Sequence, residues 1–291
     1  MMDIPTMSNL IILYLNTYGQ TKLTLEKQLQ IQDMAKHLKC DIIHLQESDF
    51  DENTFQNCNF IKNNFNFITN NSPSKYGTAS LIKNNFQTEN ISLDTEGRII
   101  VFDIQGVTFC NAYLEAGTDG ASKAARENYC SETLPNLLVN RSQVGCAGGD
   151  WNCIVDKKDA TNYPQAKMSP SLTRLVKSFK WSDSFRSLHP SREVFSHYYK
   201  SGDHTHATRI DREYHWGQVQ VIKSEYVPAA FSDHLGHLTE VRVPLNGPII
   251  TPSPRGQPHL KIRDEVAQDP KFQEKVALEM ENWKVIKKQR S

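Results

Sequence analysis

A strand–helix–strand pattern opens the chain and limits the folds that it can adopt. The apolar run 10–15 is typical of a buried strand, and residues 24–38 place their apolar side chains on one face of a helix. A second apolar run, 42–46, follows that helix directly. Because two strands joined through a helix form one layer covered by another, this start predicts a layered α/β protein.

Further predicted elements fit the same architecture. Apolar runs at 98–104 and 107–114, joined at Gln105-Gly106, predict a β-hairpin. The other predicted elements are a strand at 78–82, a helix over 122–139 that Pro135 ends or bends, a strand entering Gly148-Gly149-Asp150, a helix from the N-cap Ser169 to about Phe179, and strands at 194–199, 210–215, 219–222 and 238–243. The stretch between Tyr199 and Arg209 is expected to be a loop. Past Pro244 the chain is rich in Pro and Gly and then polar, which predicts a linker and a polar helix over 245–291.

Composition excludes several functional classes. The chain has 33 Lys and Arg against 33 Asp and Glu, so it does not bind nucleic acid or anionic lipid through bulk charge. No run of about 18 apolar residues predicts a membrane span. The N-terminus lacks the pattern of a secretory signal, and the six Cys form no C-x-x-C pair. These features predict reduced, buried thiols in an intracellular protein.

Polar residues stand where the predicted strands end or begin. Each of them alone also fits an ordinary cap or turn. In a layered α/β fold, however, strand ends are where a rigid sheet can hold catalytic groups in fixed positions. The ordered set runs Leu15-Asn16, Leu45-Gln46-Glu47, Asn111-Ala112-Tyr113, Gly149-Asp150-Trp151-Asn152, Arg209-Ile210-Asp211 and Ser232-Asp233-His234.

In its order and context this set resembles the endonuclease/exonuclease/phosphatase superfamily, which includes DNase I-like and apurinic/apyrimidinic endonucleases. The resemblance covers about residues 8–244, and the G-D-x-N and S-D-H motifs with Q-E upstream make it specific. It implies an α/β fold of four layers, in which two mixed β-sheets pack face to face with helices outside. It also implies a metal-dependent phosphodiesterase that acts on double-stranded DNA as a monomer, without a membrane.

Within the superfamily, several stretches are most similar to the endonuclease domain of non-LTR (LINE) retrotransposons. They are Tyr76-Gly77-Thr78-Ala79-Ser80, Arg126-Glu127-Asn128-Tyr129, and Trp181-Ser182-Asp183-Ser184-Phe185-Arg186 followed by Phe195-Ser196. This likeness implies a nickase that leaves a 3′-hydroxyl for target-primed reverse transcription, made in the cytoplasm and acting in the nucleus. Its partner would be a reverse transcriptase region of the same polyprotein, toward which residues 245–291 would lead.

The resemblance also implies roles for site residues. Mg²⁺, with Mn²⁺ as a substitute, would be held on the side of Glu47, Asn16 and Asp233, and hard carboxylate oxygens suit that ion. Asp150 would orient and deprotonate the attacking water. The other catalytic groups would be His234, which stabilises the charge on phosphorus, Asp211, which fixes the His234 tautomer, and Tyr113 and Asn152, which contact the phosphate. Ser196, Ser232 and Arg209 would assist phosphate or DNA binding.

Two departures from the family pattern and three rival functions accompany this interpretation. Ser196 stands where the family often has Thr, and Asp211 continues into Arg-Glu-Tyr instead of an apolar strand. The rivals are an abasic-site repair endonuclease, a phosphatase of inositol lipids or nucleotides, and a catalytically decayed DNA-binding module. Sequence preference would be read by the loops 156–170 and 199–209, where Lys157, Lys158, Lys167, Lys200 and Arg209 are candidate phosphate contacts.

Overall fold

The structure, a computed structural model, describes residues 6–19, 23–51, 53–72, 77–161, 168–201 and 203–245. The predicted linker and polar helix after Leu245, as well as Tyr76 and Lys167, lie outside the described residues. Of the helices in the described part of the chain, none is long and apolar enough to cross a membrane.

Strands and helices alternate along the described residues, as the strand–helix–strand pattern at the start of the chain predicts, and strands outnumber helices. The strands are β1 Thr6–Asn16, β2 Ile42–Gln46, β3 Phe65–Asn70, β4 Thr78–Lys83, β5 Thr88–Leu93, β6 Ile99–Ile104, β7 Val107–Tyr113, β8 Gly145–Asp150, β9 Ser182–Asp183, β10 His197–Ser201, β11 His204–Thr208, β12 Asp211–Trp216, β13 Gln220–Val227 and β14 Gly236–Leu245. The helices are α1 Leu25–Leu38, α2 Asn59–Asn64, α3 Gly120–Asn128, α4 Leu134–Leu138, α5 Pro170–Ser178 and α6 Ser184–Leu188, with a π-helical turn at Tyr129–Thr133 and a 3₁₀ turn at Lys157–Asp159.

The strands form two six-stranded sheets and one separate hairpin. The first sheet has the order β13-β14-β1-β2-β4-β3, the second has the order β5-β6-β7-β8-β12-β9, and β10 pairs with β11 alone. Strand β1 runs parallel to β2 and β7 runs parallel to β8, while their other neighbours in the sheets are antiparallel. The predicted fold, two mixed sheets face to face with helices outside, is therefore confirmed.

Both faces of the central strands are buried, which accounts for their unbroken apolar runs. In β1, Leu10 and Ile12 face the second sheet and pack in one cluster with Phe102 of β6. The alternate residue Leu13 packs on the opposite face with Ile31 of α1. A third cluster lies between the second sheet and its own helices. These three apolar clusters correspond to the three interfaces of a four-layered sandwich.

Local signals placed several elements correctly. The turn at Gln105-Gly106 has positive φ at both residues, 49° and 85°, as a two-residue hairpin of this twist requires. Helix α5 begins with Pro170 after the N-cap Ser169, whose hydroxyl accepts a hydrogen bond from the Leu172 amide. The helix predicted over 122–139 is interrupted by the π-helical turn just before Pro135.

Other elements differ from the prediction. Strands β3 and β5 were not predicted, and the segment expected to be a loop between Tyr199 and Arg209 forms the strand β11, which pairs with β10 in a hairpin. This hairpin belongs to neither large sheet, so its residues do not need to alternate between a buried and a solvent face. Strand β10 overlaps the strand predicted at 194–199, whereas the pattern by which strands are recognised is missing from β11.

Candidate active site

The polar residues at the strand ends meet at one edge of the sandwich. The parallel pair β1/β2 ends at Asn16 and Gln46, and the parallel pair β7/β8 of the other sheet ends at Tyr113 and Asp150. Hydrogen bonds join the two sheets there: Asn16 Nδ2 donates to Asp150 Oδ2 over 2.9 Å. Tyr113 donates its hydroxyl to Glu47 Oε1, also over 2.9 Å. The fold thus brings together residues that are up to 134 positions apart in the chain.

Two glycines allow the close packing behind these bonds, Gly148 between the two sheets and Gly149 against the neighbouring strand β7 of its own sheet. A Cβ atom at Gly148 would lie 2.6 Å from the Tyr14 ring of the facing sheet. Gly149 has φ +135°, and a Cβ there would lie 2.0 Å from the Ala112 carbonyl oxygen. Just behind the site, Gln46 Nε2 donates to Asn111 Oδ1 over 2.7 Å, which links the sheets a second time. The Gly-Gly pair is therefore a requirement for placing Asp150.

Asp150 is buried and held by amides on both sides. Asn152 donates its backbone amide to Asp150 Oδ1 and its side-chain amide to Oδ2, over 2.9 and 3.2 Å. Burial, the charge of Asp211 and the more distant charge of Glu47 raise the pKa of Asp150 to about 6, although the His234 charge opposes them. At neutral pH the Asp150 carboxylate is thus ionised, and it is more basic than an exposed one. Those properties suit a general base.

His234 forms a buried pair with Asp211. The distance from His234 Nδ1 to Asp211 Oδ2 is 2.8 Å. Burial alone would lower the pKa of His234, but the charge and hydrogen bond of Asp211, together with the charges of Asp150 and Asp233, raise it to about 10. The imidazole is therefore protonated at neutral pH, so it can stabilise negative charge or donate a proton but cannot act as the base.

The two predicted phosphate-binding serines contact the backbone of the site. Ser232 Oγ donates to the Asn16 carbonyl over 2.7 Å and accepts the His234 amide over 3.1 Å. Ser196 is fully buried, and its Oγ accepts the amides of Ile210 and Asp211, each over 3.0 Å. Direct phosphate binding by Ser196 is therefore contradicted, because its hydroxyl is enclosed and serves to position Asp211.

Arg209 is also misassigned as a DNA contact. It is only 1% exposed. Its Nε donates to Asp159 over 2.8 Å, and its Nη2 donates to Asp183 over 2.7 Å. A guanidinium whose hydrogen bonds are satisfied inside the protein is not available to the DNA backbone. Arg209 instead stabilises the segment that leads into Asp211.

The predicted metal-binding residues lie in two places. Glu47, at φ +55°, presents its carboxylate beside Tyr113, and Asn16 bonds to Asp150. Asp233 lies instead with His197 and His234. Among the described residues, the candidate ligand groups of three or more side chains are Asp150–Asp211–His234 and His197–Asp233–His234, and Glu47 is in neither.

The side of the site that contains Glu47 fits a hard dication. Its donors are carboxylate and amide oxygens, the ligands that Mg²⁺ prefers in proteins. The charges of Glu47 and Asp211 both raise the pKa of Asp150, which shows an excess of negative charge that a bound dication would offset. The donor chemistry and the local electrostatics therefore agree with a divalent cation.

Two neighbours of the site were not predicted. The ring of His197 packs against that of His234, with 4.6 Å between the centroids. The guanidinium carbon of Arg98 lies 5.0 Å from the centre of the Tyr113 ring, and Arg98 also forms an ion pair with Glu115. Because Arg98 is held in this way, it restricts the position of the tyrosine ring. The sequence contains one weak signal for His197. This residue alternates with another ring residue, Tyr199, and the two rings stack on the same face of strand β10.

Comparison with known proteins agrees with this fold. No protein-family model matches the chain, and no curated protein matches it in sequence. Among solved structures, an AP endonuclease from Archaeoglobus fulgidus superposes with a TM-score of 0.64 at 18% identity, over 79% of this chain and 98% of that one. The 3′ phosphatase NExo from Neisseria, bound to a product DNA hairpin, gives 0.64 at 15% identity, over 79% and 98%.

A third solved structure, the AP endonuclease LMAP from Leishmania major, gives a TM-score of 0.63 at 15% identity, over 81% of this chain and 88% of that one. All three are similar in fold at low sequence identity. The chain therefore has the DNase I-like α/β sandwich fold, and its polar cluster lies at an edge shared by both sheets.

Proposed function

We propose that the chain is a divalent-metal-dependent phosphodiesterase that cuts one strand of double-stranded DNA. The observation that carries this proposal is the cluster of Asp150, Asp211 and His234, whose ligand atoms all lie within 4.8 Å of one another. It combines an ionised base with a protonated imidazole in one site. The proteins of similar fold include AP endonucleases and a DNA 3′ phosphatase, which supports DNA as the substrate.

The residues divide the chemistry of hydrolysis among them. Asp150 accepts the proton of the attacking water, whose oxygen forms the new bond to phosphorus. The bond from phosphorus to the 3′ oxygen breaks, and that oxygen takes up a proton from solvent water, which leaves a 3′-hydroxyl and a 5′-phosphate. His234, oriented by Asp211, stabilises the charge on the phosphoryl oxygens. Glu47 would hold a hard dication such as Mg²⁺, whose charge offsets that of the phosphate.

Nicking of supercoiled plasmid tests this proposal. The purified chain is expected to relax the plasmid in Mg²⁺ or Mn²⁺ and to stop in EDTA. Asp150→Ala should lower the single-turnover rate by about 10³-fold or more while the protein stays folded. Asp33→Ala is the matched control, since that carboxylate is exposed on helix α1 and pairs with Lys36 at the surface. Cleavage in EDTA would contradict the role of the metal, and an unchanged rate for Asp150→Ala would contradict the role of the base.

An abasic-site endonuclease is the second candidate. Two of the three proteins of similar fold described above are AP endonucleases. Paired oligonucleotide duplexes, identical except for one abasic site, separate the two functions. A preference of roughly 100-fold or more for the abasic duplex, about 2.7 kcal/mol, would favour repair, because the two duplexes share one sequence context and the ratio reports the abasic site alone. Equal cleavage of both duplexes would favour a general nickase.

A role in a LINE-type retrotransposon is the narrower proposal. Its support is the likeness of the stretches 76–80, 126–129 and 181–186 to such endonuclease domains. It implies a reverse transcriptase partner in the same polyprotein and a nuclear site of action. Primer extension across nicked plasmid would show clustered nick sites whose 3′ ends a polymerase extends directly. Binding of DNA without cleavage in Mg²⁺ or Mn²⁺ would instead favour a decayed DNA-binding module.

A further inference from the structure

A second cluster of ligand side chains adjoins the catalytic pair. His197 begins strand β10 and forms an isolated antiparallel bridge with His234. Next to this bridge, the Leu235 amide donates to the Ser196 carbonyl over 2.7 Å. Asp233 lies between the two imidazoles, with its Oδ2 3.5 Å from His197 Nε2 and its Oδ1 3.9 Å from His234 Nε2. Two backbone contacts thus hold three donor side chains around one point.

The spacing of these donors suits a tetrahedral ion. Zinc bonds of about 2.0–2.1 Å to nitrogen and oxygen place neighbouring ligand atoms about 3.4 Å apart. One ligand atom from each of the three residues lies within 4.8 Å of the other two. Closing the longer separations takes a movement of about 1 Å, which a side-chain rotation supplies. The fourth position would be open to water, because Asp233 is 38% exposed.

The surroundings of His234 favour a metal on its outer nitrogen. A metal-bound histidine usually donates its other ring N–H to a carboxylate, which orients the ring and makes it more basic. Asp211 accepts such a bond from Nδ1 over 2.8 Å, which leaves Nε2 directed toward Asp233 and His197. The carboxylates of Asp150, Asp211 and Asp233 surround this ring and also attract a dication.

We propose that His197, Asp233 and His234 form a binding site for a borderline transition-metal ion, with Zn²⁺ as its best occupant. Two imidazoles and one carboxylate prefer such ions over Mg²⁺, which takes oxygen ligands and keeps its waters. The oxygen donors around Glu47 lie outside this set. The chain thus has two neighbouring sites with different metal preferences.

A consequence for activity follows, and it rests on the proposed function. Zinc bound to His234 Nε2 would occupy the ring nitrogen that this residue would otherwise present to the phosphate. Zn²⁺ is therefore expected to inhibit Mg²⁺-dependent nicking instead of replacing Mg²⁺. His197 governs this inhibition, since it is a zinc ligand that contacts none of the proposed reacting atoms.

Direct zinc binding tests the site without reference to activity. The full chain, in buffer saturated with Mg²⁺, would compete for Zn²⁺ with a chromophoric chelator. His197→Phe keeps a ring against His234 but removes the ligand, so it should weaken zinc binding by roughly 100-fold. His206→Phe is the matched control, because it replaces another stacked histidine on the same hairpin. Unchanged binding by His197→Phe, or equal loss in the control, would overturn the assignment.

Inhibition is the second measurement. Each variant's nicking rate in Mg²⁺ is followed as Zn²⁺ is added and is expressed relative to its own zinc-free rate. The half-inhibitory zinc concentration should rise by roughly 100-fold in His197→Phe and stay unchanged in His206→Phe. Equal inhibition of all variants would show that zinc acts elsewhere. If the parent chain did not nick DNA at all, the proposed function would fail, while zinc binding would still decide the site.

Discussion

His234 Nδ1 and Asp211 Oδ2 lie 2.8 Å apart in a pair that is almost fully enclosed, with side chains 8% and 2% exposed. The pair joins a loop that precedes β14 of one sheet to the first residue of β12 in the other sheet. Its geometry therefore depends on the packing of the whole sandwich, and it exposes only the far side of the imidazole.

Asp211→Asn should lower the nicking rate by about 10²–10⁴-fold. The amide keeps the shape of the carboxylate but removes the charge that holds the proton on His234 and orients the ring. Single-turnover nicking in Mg²⁺ is the measurement, with circular dichroism to show that the fold is kept. Glu225→Gln, which neutralises a partly exposed carboxylate on β13, should leave the rate unchanged. A rate for Asp211→Asn within about threefold of the parent would argue against the pair.

Ser196→Ala should lower the unfolding free energy by about 2–4 kcal/mol. The change leaves the buried amides of Ile210 and Asp211 without the acceptor that now lies 3.0 Å from each. Urea unfolding measures the loss, and Ser187→Ala, an exposed serine that also bonds to backbone, is the control. A weaker affinity for DNA with unchanged stability would instead support the original phosphate-binding interpretation.

Arg209→Met should destabilise the fold by about 3–5 kcal/mol, because it leaves the buried carboxylates of Asp159 and Asp183 without their main partner. Thermal and urea unfolding would show the effect. Lys158→Met, on the exposed surface of the same region, should change stability by no more than about 0.5 kcal/mol. If Arg209→Met were stable and lost only DNA affinity, Arg209 would be a DNA contact and not a support of the fold.

Glu213→Gln should remove a pH dependence of stability. Burial raises the pKa of Glu213 from an ordinary 4.5 to about 7, and the side chain is fully enclosed. The stabilisation that comes from keeping the Glu213 carboxyl neutral is complete below pH 4.5 and is lost as the pH rises through 7. The unfolding free energy should fall by about 3 kcal/mol over this range. The Glu213→Gln variant is neutral at every pH. Its unfolding free energy should therefore rise relative to that of the parent between pH 5 and pH 8.

Urea unfolding of both proteins at the two pH values measures that difference. Glu240→Gln is a suitable control, because its partly exposed carboxylate accepts a hydrogen bond from Asn9 at the surface. A stability difference between the Glu213→Gln variant and the parent that does not change with pH would show that Glu213 is ionised in the folded protein throughout this range.

Local patterns predicted a large part of this architecture. The amphipathic helix α1, the turn at Gln105-Gly106 and the cap at Ser169 depend on neighbours in sequence, so they were visible there. Strand β11 was not, because the hairpin that it forms with β10 lies outside the two large sheets and lacks an alternating apolar face. His197 was overlooked for the same reason, since its meaning comes from His234, a residue 37 positions later that bridges to it.

The polar residues of the site also differ in how far the sequence alone reveals their roles. Asp150, Tyr113 and His234 could be singled out from the chain alone because each stands beside a recognisable strand end. Ser196 and Arg209 were also assigned roles in binding phosphate or DNA, yet both are enclosed by the protein. Burial depends on which layers cover a side chain, and no local pattern reports it.

The sequence by itself determined the class of fold and the candidate residues, because apolar periodicity and the short motifs at strand ends are properties of neighbouring residues. Only the tertiary structure decided which of those residues meet. The bond between Asn16 and Asp150 spans 134 positions, and it forms because Gly148 lets the two sheets approach closely, while Gly149 fits against the neighbouring strand β7 of its own sheet. The same packing encloses Arg209 and leaves Asp233 partly open beside His197, since exposure is a property of the assembled layers.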